Sequence, residues 1–227
     1  MIIKDIKVSE ISIPLVTPFK TALRTVACVN DILIQIETDT DQVGLGEAPP
    51  TAVITGDTKG SIITAITEFI LPAVRGLDIE DIDGIMSKIS RCMQKNSSAK
   101  AAVDMAVYDL YAKNLKKPLY KVLGGHGNEV ETDLTISVNP VDVMVADSLK
   151  AVAAGFRILK VKVGKEGLKD IARIQAIREA LGPSVKIRVD ANQGWTAKDA
   201  VRIITAMDRP DSRYKENQPA SRKYRCG

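Results

Sequence analysis

Histidine is almost missing: the 227 residues hold one, His126, within Gly124-Gly125-His126-Gly127-Asn128. A multi-histidine metal centre is therefore excluded, as is a Ser-His-Asp triad built on any other histidine. The glycines around His126 read as a surface linker, and no GK[ST] follows to make a phosphate loop. Cysteine is scarce and odd in number. Cys28, Cys92 and Cys226 have no metal-ligand spacing, so reduced thiols are the default. No apolar run approaches the length of a membrane span, and Met1-Ile2-Ile3-Lys4-Asp5 lacks the apolar region of a signal peptide. These absences point to a cytoplasmic protein with no membrane partner.

An excess of one charge is also missing from most of the chain. The formal net charge is +4. Six basic and three acidic residues from Asp208 to Gly227 account for +3 of it, which leaves +1 on the first 207 residues. A body this close to neutral has no electrostatic footprint for a nucleic acid. The remaining composition, 45% hydrophobic and 26% charged, is that of a globular chain of one or two domains.

What is present centres on Ile158–Val163, Ile-Leu-Lys-Val-Lys-Val, whose β-branched character predicts a strand. Side chains on a strand alternate, so Lys160 and Lys162 share one face while Leu159, Val161 and Val163 share the other. Apolar residues at helical spacing over 146–154 and 168–181 flank this run, which predicts a parallel sheet covered by helices. Two ammonium groups facing covered space need anions, a ligand or water. The alternative is an edge strand with a solvated face.

Residues 131–138 and 185–192 have the same two-faced pattern. Asp133, Thr135 and Ser137 oppose Leu134, Ile136 and Val138, and Lys186, Arg188, Asp190 and Asn192 oppose Val185, Ile187 and Val189. The strands begin near residues 130, 157 and 185, a period that suits one strand plus one helix. A β/α barrel explains the pattern, with apolar residues against outer helices and polar ones lining the mouth. Lys162, Asp190 and Asn192 fall at the strands' C-terminal ends, where such barrels carry their chemistry.

Ahead of these units, strands are expected over 2–13, 31–37 and 43–47, with an irregular loop over 17–25. Helices are expected over 58–74, 79–92 and 98–115, the last capped by Ser97 or Ser98. Thr196 is expected to cap a helix beginning near Trp195, with Asp199 at the capping-box position. The fold class is thus an α+β capping domain (1–128) followed by the first part of a (β/α) TIM-like barrel (129–207). A fourth strand is due near residue 212, but Asp211-Ser212-Arg213-Tyr214-Lys215-Glu216-Asn217 lacks a single aliphatic residue. Residues 208–227 therefore read as a disordered tail, and the barrel as truncated after about three βα units.

Lys160-Val161-Lys162 ending one strand and Asp190-Ala191-Asn192 ending the next, behind an α+β domain, resemble the muconate-lactonizing branch of the enolase superfamily. Phe19-Lys20-Thr21-Ala22-Leu23-Arg24-Thr25, Gly46-Glu47-Ala48-Pro49-Pro50-Thr51, Ile54-Thr55-Gly56-Asp57, Ser98-Ala99-Lys100-Ala101-Ala102-Val103 and Asp190-Ala191-Asn192-Gln193-Gly194-Trp195 resemble its bacterial L-Ala-D/L-Glu (dipeptide) epimerases. The resemblance runs over residues 1 to 207. It implies removal of a proton α to a carboxylate, with the enediolate stabilised by Mg²⁺. Lys162 would be the acid/base, Lys160 would face the substrate carboxylate, and Asp190 would be the first of three carboxylate metal ligands. Arg24 would hold the γ-carboxylate of a glutamyl dipeptide, and Thr135 and Ile54 would contact substrate. Without the resemblance, Arg24 reads equally as a solvated loop residue and Thr135 as a structural strand residue. The implied partner is a small dipeptide, and members of the branch are often homo-oligomeric.

Other features of the branch are not recognisable: a second metal acid in a Glu-Gln-Pro context, a third acid, a lysine on the opposite face, and an Asp-x-Asp for the substrate ammonium. Glu216-Asn217-Gln218-Pro219 is a faint echo, and no ligand role is carried to it. The expectation is a chain derived from a dipeptide epimerase, shifted into a foreign reading frame after Met207, inactive and poorly stable by itself. The alternatives are another branch member, such as a muconate cycloisomerase or an o-succinylbenzoate synthase, and a non-catalytic product.

Overall fold

The structure is a computed structural model, and it describes residues 1–207. The fourth strand expected near residue 212 and the tail over 208–227 lie outside the described residues. By contacts the chain divides into two compact units. One comprises Met1–Pro14 with Cys28–Asn128, and the other Leu15–Ala27 with the chain from Glu129 onward.

The first unit is built on a sheet of β1 (Ile3–Lys20), β2 (Thr25–Thr38) and β3 (Val43–Ala48), in that order, of which residues 15–20 of β1 and 25–27 of β2 are counted with the second unit. Along β2 the expected alternation holds. Ile32, Ile34 and Ile36 are fully buried, while Leu33 and Gln35 between them are not. β3 runs antiparallel to β2, with Gly46 opposite Ile34. β1 is longer than the sequence suggests, because it continues through Pro14 and Pro18 to Lys20. A proline forfeits one amide donor, which an edge strand tolerates and a central strand does not; β1 is the edge. The expected 17–25 loop is thus reduced to a turn over 21–24, closed by the Thr21 N–H donating to the Arg24 carbonyl at 2.9 Å.

Helix α1 (Lys59–Thr64) starts at a capping box between Thr58 and Ser61. A π-helical turn, Ala65–Ile70, joins it to α2 (Leu71–Val74). α3 (Ile82–Arg91), α4 (Ser97–Asn114) and the short α5 (Leu119–Val122) follow. Neither Ser97 nor Ser98 caps α4, contrary to expectation. Asn96 occupies the cap in a left-handed conformation without a side-chain bond. The Ser98 amide donates instead to Asp57 Oδ2 at 3.1 Å, so a buried carboxylate 41 residues away takes the cap's place. α4 lies against β3 at backbone distance, because Gly44 and Gly46 leave room: a Cβ on either would collide with the Ala106 or Ala102 carbonyl.

In the second unit β4 (Leu134–Ile136), α6 (Val141–Ala153), β5 (Ile158–Lys162), α7 (Lys169–Leu181), β6 (Lys186–Asp190) and α8 (Ala197–Met207) alternate as three βα units. The strands form a parallel sheet in the order β4-β5-β6. Leu159, Val161 and Val163 are fully buried among Met144, Ile174, Ile177 and Ile203, so the apolar parity packs on the helices. The expected Thr196 cap is present: the Asp199 amide donates to Thr196 Oγ1 at 3.1 Å, and that hydroxyl lies 2.7 Å from Asp199 Oδ2. Among the described residues no helix is long and apolar enough to cross a membrane.

Candidate active site

The polar parity of the parallel strands converges where β5 and β6 end. In the register Thr135 pairs with Lys160, Lys160 with Arg188, and Lys162 with Asp190. Lys162 is at the C-terminal residue of β5 with a side chain 8% exposed, and its Nζ donates to Asp190 Oδ2 at 2.8 Å. Lys160, one turn of the alternation earlier, reaches the same oxygen at 3.0 Å from a more open position. The other carboxylate oxygen, Oδ1, accepts the Asn192 amide at 2.9 Å. Arg188 and Asp133 form a second ion pair on this face at 2.9 Å.

One carboxylate between two ammonium groups leaves this cluster with an excess positive charge. Burial pushes the Asp190 carboxyl upward, but the hydrogen bonds from Lys162, the Asn192 amide and Lys160 outweigh it and hold the group at about 2. Asp190 is therefore a carboxylate at any physiological pH. The wall of the site beside Lys162 is aromatic, with the Phe19 ring centroid 6.0 Å from its Nζ.

Phe19 stands near the end of β1, in the part of that strand which belongs to this unit. The Val138 amide donates to the Lys20 carbonyl at 3.2 Å, the Lys20 amide to Ser137 Oγ at 3.2 Å, and Lys20 Nζ to Asn139 Oδ1 at 3.1 Å. These three bonds fasten the end of β1, and with it the turn that follows, to the segment after β4. They also fix how the turn carrying half-buried Arg24 is held.

Of the residues expected at the site, Thr135, Lys160, Lys162 and Asp190 share one strand face and Arg24 lies on the fastened turn. Ile54 belongs to the first unit, where it is 60% exposed. Sequence reasoning missed Lys20 as a clasp and missed a buried group behind the strand ends: Asp170, Arg173 and the Trp195 indole. The available signal was an acid and a base at i and i+3 near the start of α7, the acid six residues after Gly164.

A hard divalent cation takes oxygen ligands, and magnesium prefers a complete octahedral shell. Asp190 supplies such oxygens, and the buried Asn192 Oδ1 beside it has no hydrogen-bond partner among the described residues. Yet no group of three or more His, Cys, Asp or Glu side chains among the described residues is placed to hold a metal ion. The described residues therefore supply at most part of a magnesium shell, through Asp190 and Asn192.

The sequence matches the model of the mandelate racemase / muconate lactonizing enzyme N-terminal domain over residues 3–124 and that of the enolase C-terminal domain-like family over residues 144–223. It is 50% identical to the L-Ala-D/L-Glu epimerase of Clostridium acetobutylicum over 208 residues, 92% of this chain and 58% of the relative. The fold is similar to a substrate-liganded L-Ala-D/L-Glu epimerase from Bacillus subtilis, with a TM-score of 0.89 and 48% identity over 91% of this chain and 58% of that one. It is also similar to the Enterococcus faecalis dipeptide epimerase complexed with Mg and the dipeptide L-Leu-L-Tyr, with a TM-score of 0.87 and 40% identity over 91% and 58% of the two chains. The chain thus spans a little under three fifths of the length of these relatives. The matched residues cover most of both units and include the strand ends that carry Lys162 and Asp190, and the chain belongs to the mandelate racemase / muconate lactonizing enzyme family of the enolase superfamily.

Proposed function

We propose that this chain carries part of a dipeptide epimerase site of the L-Ala-D/L-Glu type, with Lys162 as the acid/base at the substrate α-carbon. The observation that carries the reading is the nearly buried Lys162 ammonium, held 2.8 Å from Asp190 at the C-terminal end of a parallel strand. Lys162 Nζ, as an amine, accepts the α-proton of a dipeptide residue and, as an ammonium, returns it. Charge released at the α-carbon spreads onto the adjacent carboxylate, and the Lys160 ammonium on the same face meets it. Arg24 is assigned the γ-carboxylate of a glutamyl residue, Thr135 a place beside Lys160, and Ile54 a substrate contact. Mg²⁺ would supply electrophilic stabilisation of the enediolate, and Asp190 is assigned as one of its oxygen ligands.

Epimerisation needs a proton carrier on each face of the α-carbon. The described residues place both lysines on one face of one strand, so the 227-residue chain alone is expected to leave L-Ala-D-Glu unchanged in the presence of Mg²⁺. Residues 1–207 joined to the C-terminal part of the Bacillus subtilis relative are expected to epimerise it, with preference for glutamyl over hydrophobic dipeptides. Polarimetry on both proteins across a dipeptide panel is the test. Turnover by the chain alone at an enzymatic rate overturns its inactivity, and a joined protein that prefers muconate or ignores dipeptides overturns the substrate.

A further inference from the structure

Behind the strand ends lies a carboxylate outside the proposed proton transfer, its hydrogen-bond partners among the described residues being Gly164, Arg173 and Trp195. Asp170 opens α7 and is fully buried. Its Oδ2 accepts the Gly164 amide at 2.8 Å, two residues beyond Lys162, and the Trp195 indole N–H at 2.9 Å, five residues beyond Asp190. Its Oδ1 accepts Arg173 at 2.9 Å. Arg173, itself 7% exposed, donates from Nε to the Asn139 carbonyl at 3.2 Å and pairs with Glu166.

One carboxylate thus reaches, directly or through one guanidinium, the segments following all three parallel strands. The backbones of two of these segments touch. Gly164 has φ +97°, a Cβ there would collide with the Ala191 carbonyl, and a Cβ on Gly194 would collide with the Gly164 carbonyl. The Val163 amide donates to the Asp190 carbonyl at 3.0 Å within the same packed region. A buried charge this fully hydrogen-bonded is a poor source of net stability compared with an apolar replacement, but it has one geometry in which all its bonds are met.

We propose that Asp170 is a positioning residue that pins the ends of β4, β5 and β6 to one another through Gly164, Trp195 and Arg173, and so sets Lys162 against Asp190. This rests on the reading of Lys162 as the proton carrier only for its functional meaning. The juxtaposition itself is measurable without turnover.

Trp195 is the single tryptophan of the chain, so its indole N–H gives one assignable resonance. The experiment is ¹⁵N-edited NMR of the full 227-residue chain and its Asp170→Asn and Trp195→Phe variants, following the Gly164 amide, the Trp195 indole and the Lys162 ammonium, with urea melts alongside. In the parent chain the indole and the Gly164 amide are expected to be protected from exchange at least tenfold more than exposed amides, and the Lys162 ammonium to give a resolved cross-peak. Asp170→Asn is expected to abolish both protections and the Lys162 cross-peak. Trp195→Phe removes one donor and keeps the carboxylate, so it covers the case in which Asp170→Asn fails to fold. It is expected to shift the Asn192 amide and broaden the Lys162 cross-peak. A Trp195→Phe chain with a lowered melt but unmoved Lys162 and Asn192 resonances overturns the proposal, because the network then stabilises without positioning. Epimerisation by the joined protein does not enter this readout, so failure of the catalytic assignment appears separately.

Discussion

The two units differ in the charges they bury. In the first, Asp31 and Asp57 are buried carboxylates that each accept a backbone amide, that of Ile32 and that of Ser98. Its ion pairs, such as Arg75 with Asp5 and Lys59 with Glu10, stand in solvent around a core of isoleucines, alanines and leucine. The second has a smaller apolar cluster, yet among the described residues it holds both buried cations, Lys162 and Arg173. Burying charge is expensive unless every bond is met. The difference teaches that the first unit is organised for packing and the second for holding charge at a strand end.

Substitutions that exchange the two behaviours test this contrast. Arg173→Ala strands the fully buried Asp170 and is expected to cost about 3–5 kcal/mol in urea unfolding. Ile34→Ala in the first unit opens a cavity in an apolar core, with an expected loss of about 2–5 kcal/mol. The contrast is sharpened if Ile34→Ala leaves the Lys162 resonance in place while Arg173→Ala removes it. Asp190 gives a smaller, pH-dependent effect. Its folded pKa, about 2, lies below its unfolded value, so its contribution is present above the unfolded pKa and lost as pH falls toward 2. Asp190→Asn is therefore expected to flatten that part of the stability profile, between about pH 4 and 2, measured by thermal melts at stepped pH. Smallest is Arg75→Ala, which removes a solvated pair worth under about 1 kcal/mol.

How much of this was legible in the sequence follows from range. The Lys160–Lys162 face depends only on the two-residue period of a strand, and the meeting of Lys162 with Asp190 only on one βα repeat between two strand ends; both are local patterns. The Asp57 cap on α4 is not, because it joins residues 41 apart, and local reading gave the role to the nearer serines. The Lys20 clasp on Ser137 spans 117 residues, and a strand crossing Pro14 and Pro18 is permitted only by its place at the sheet edge. Asp170 was concealed for another reason. An acid in the first turn of a helix ordinarily reads as a solvated partner of the helix dipole, and only the packing of three segments over it shows otherwise.

The assignment of Lys162 as proton carrier is tested most directly by wash-out of the dipeptide α-hydrogen in D₂O, followed by ¹H NMR on the joined protein and its Lys162→Met variant. One base on one face predicts that the variant ceases to exchange the α-hydrogen of one epimer while the other continues to exchange. Exchange of both epimers at parental rates in the variant would contradict it.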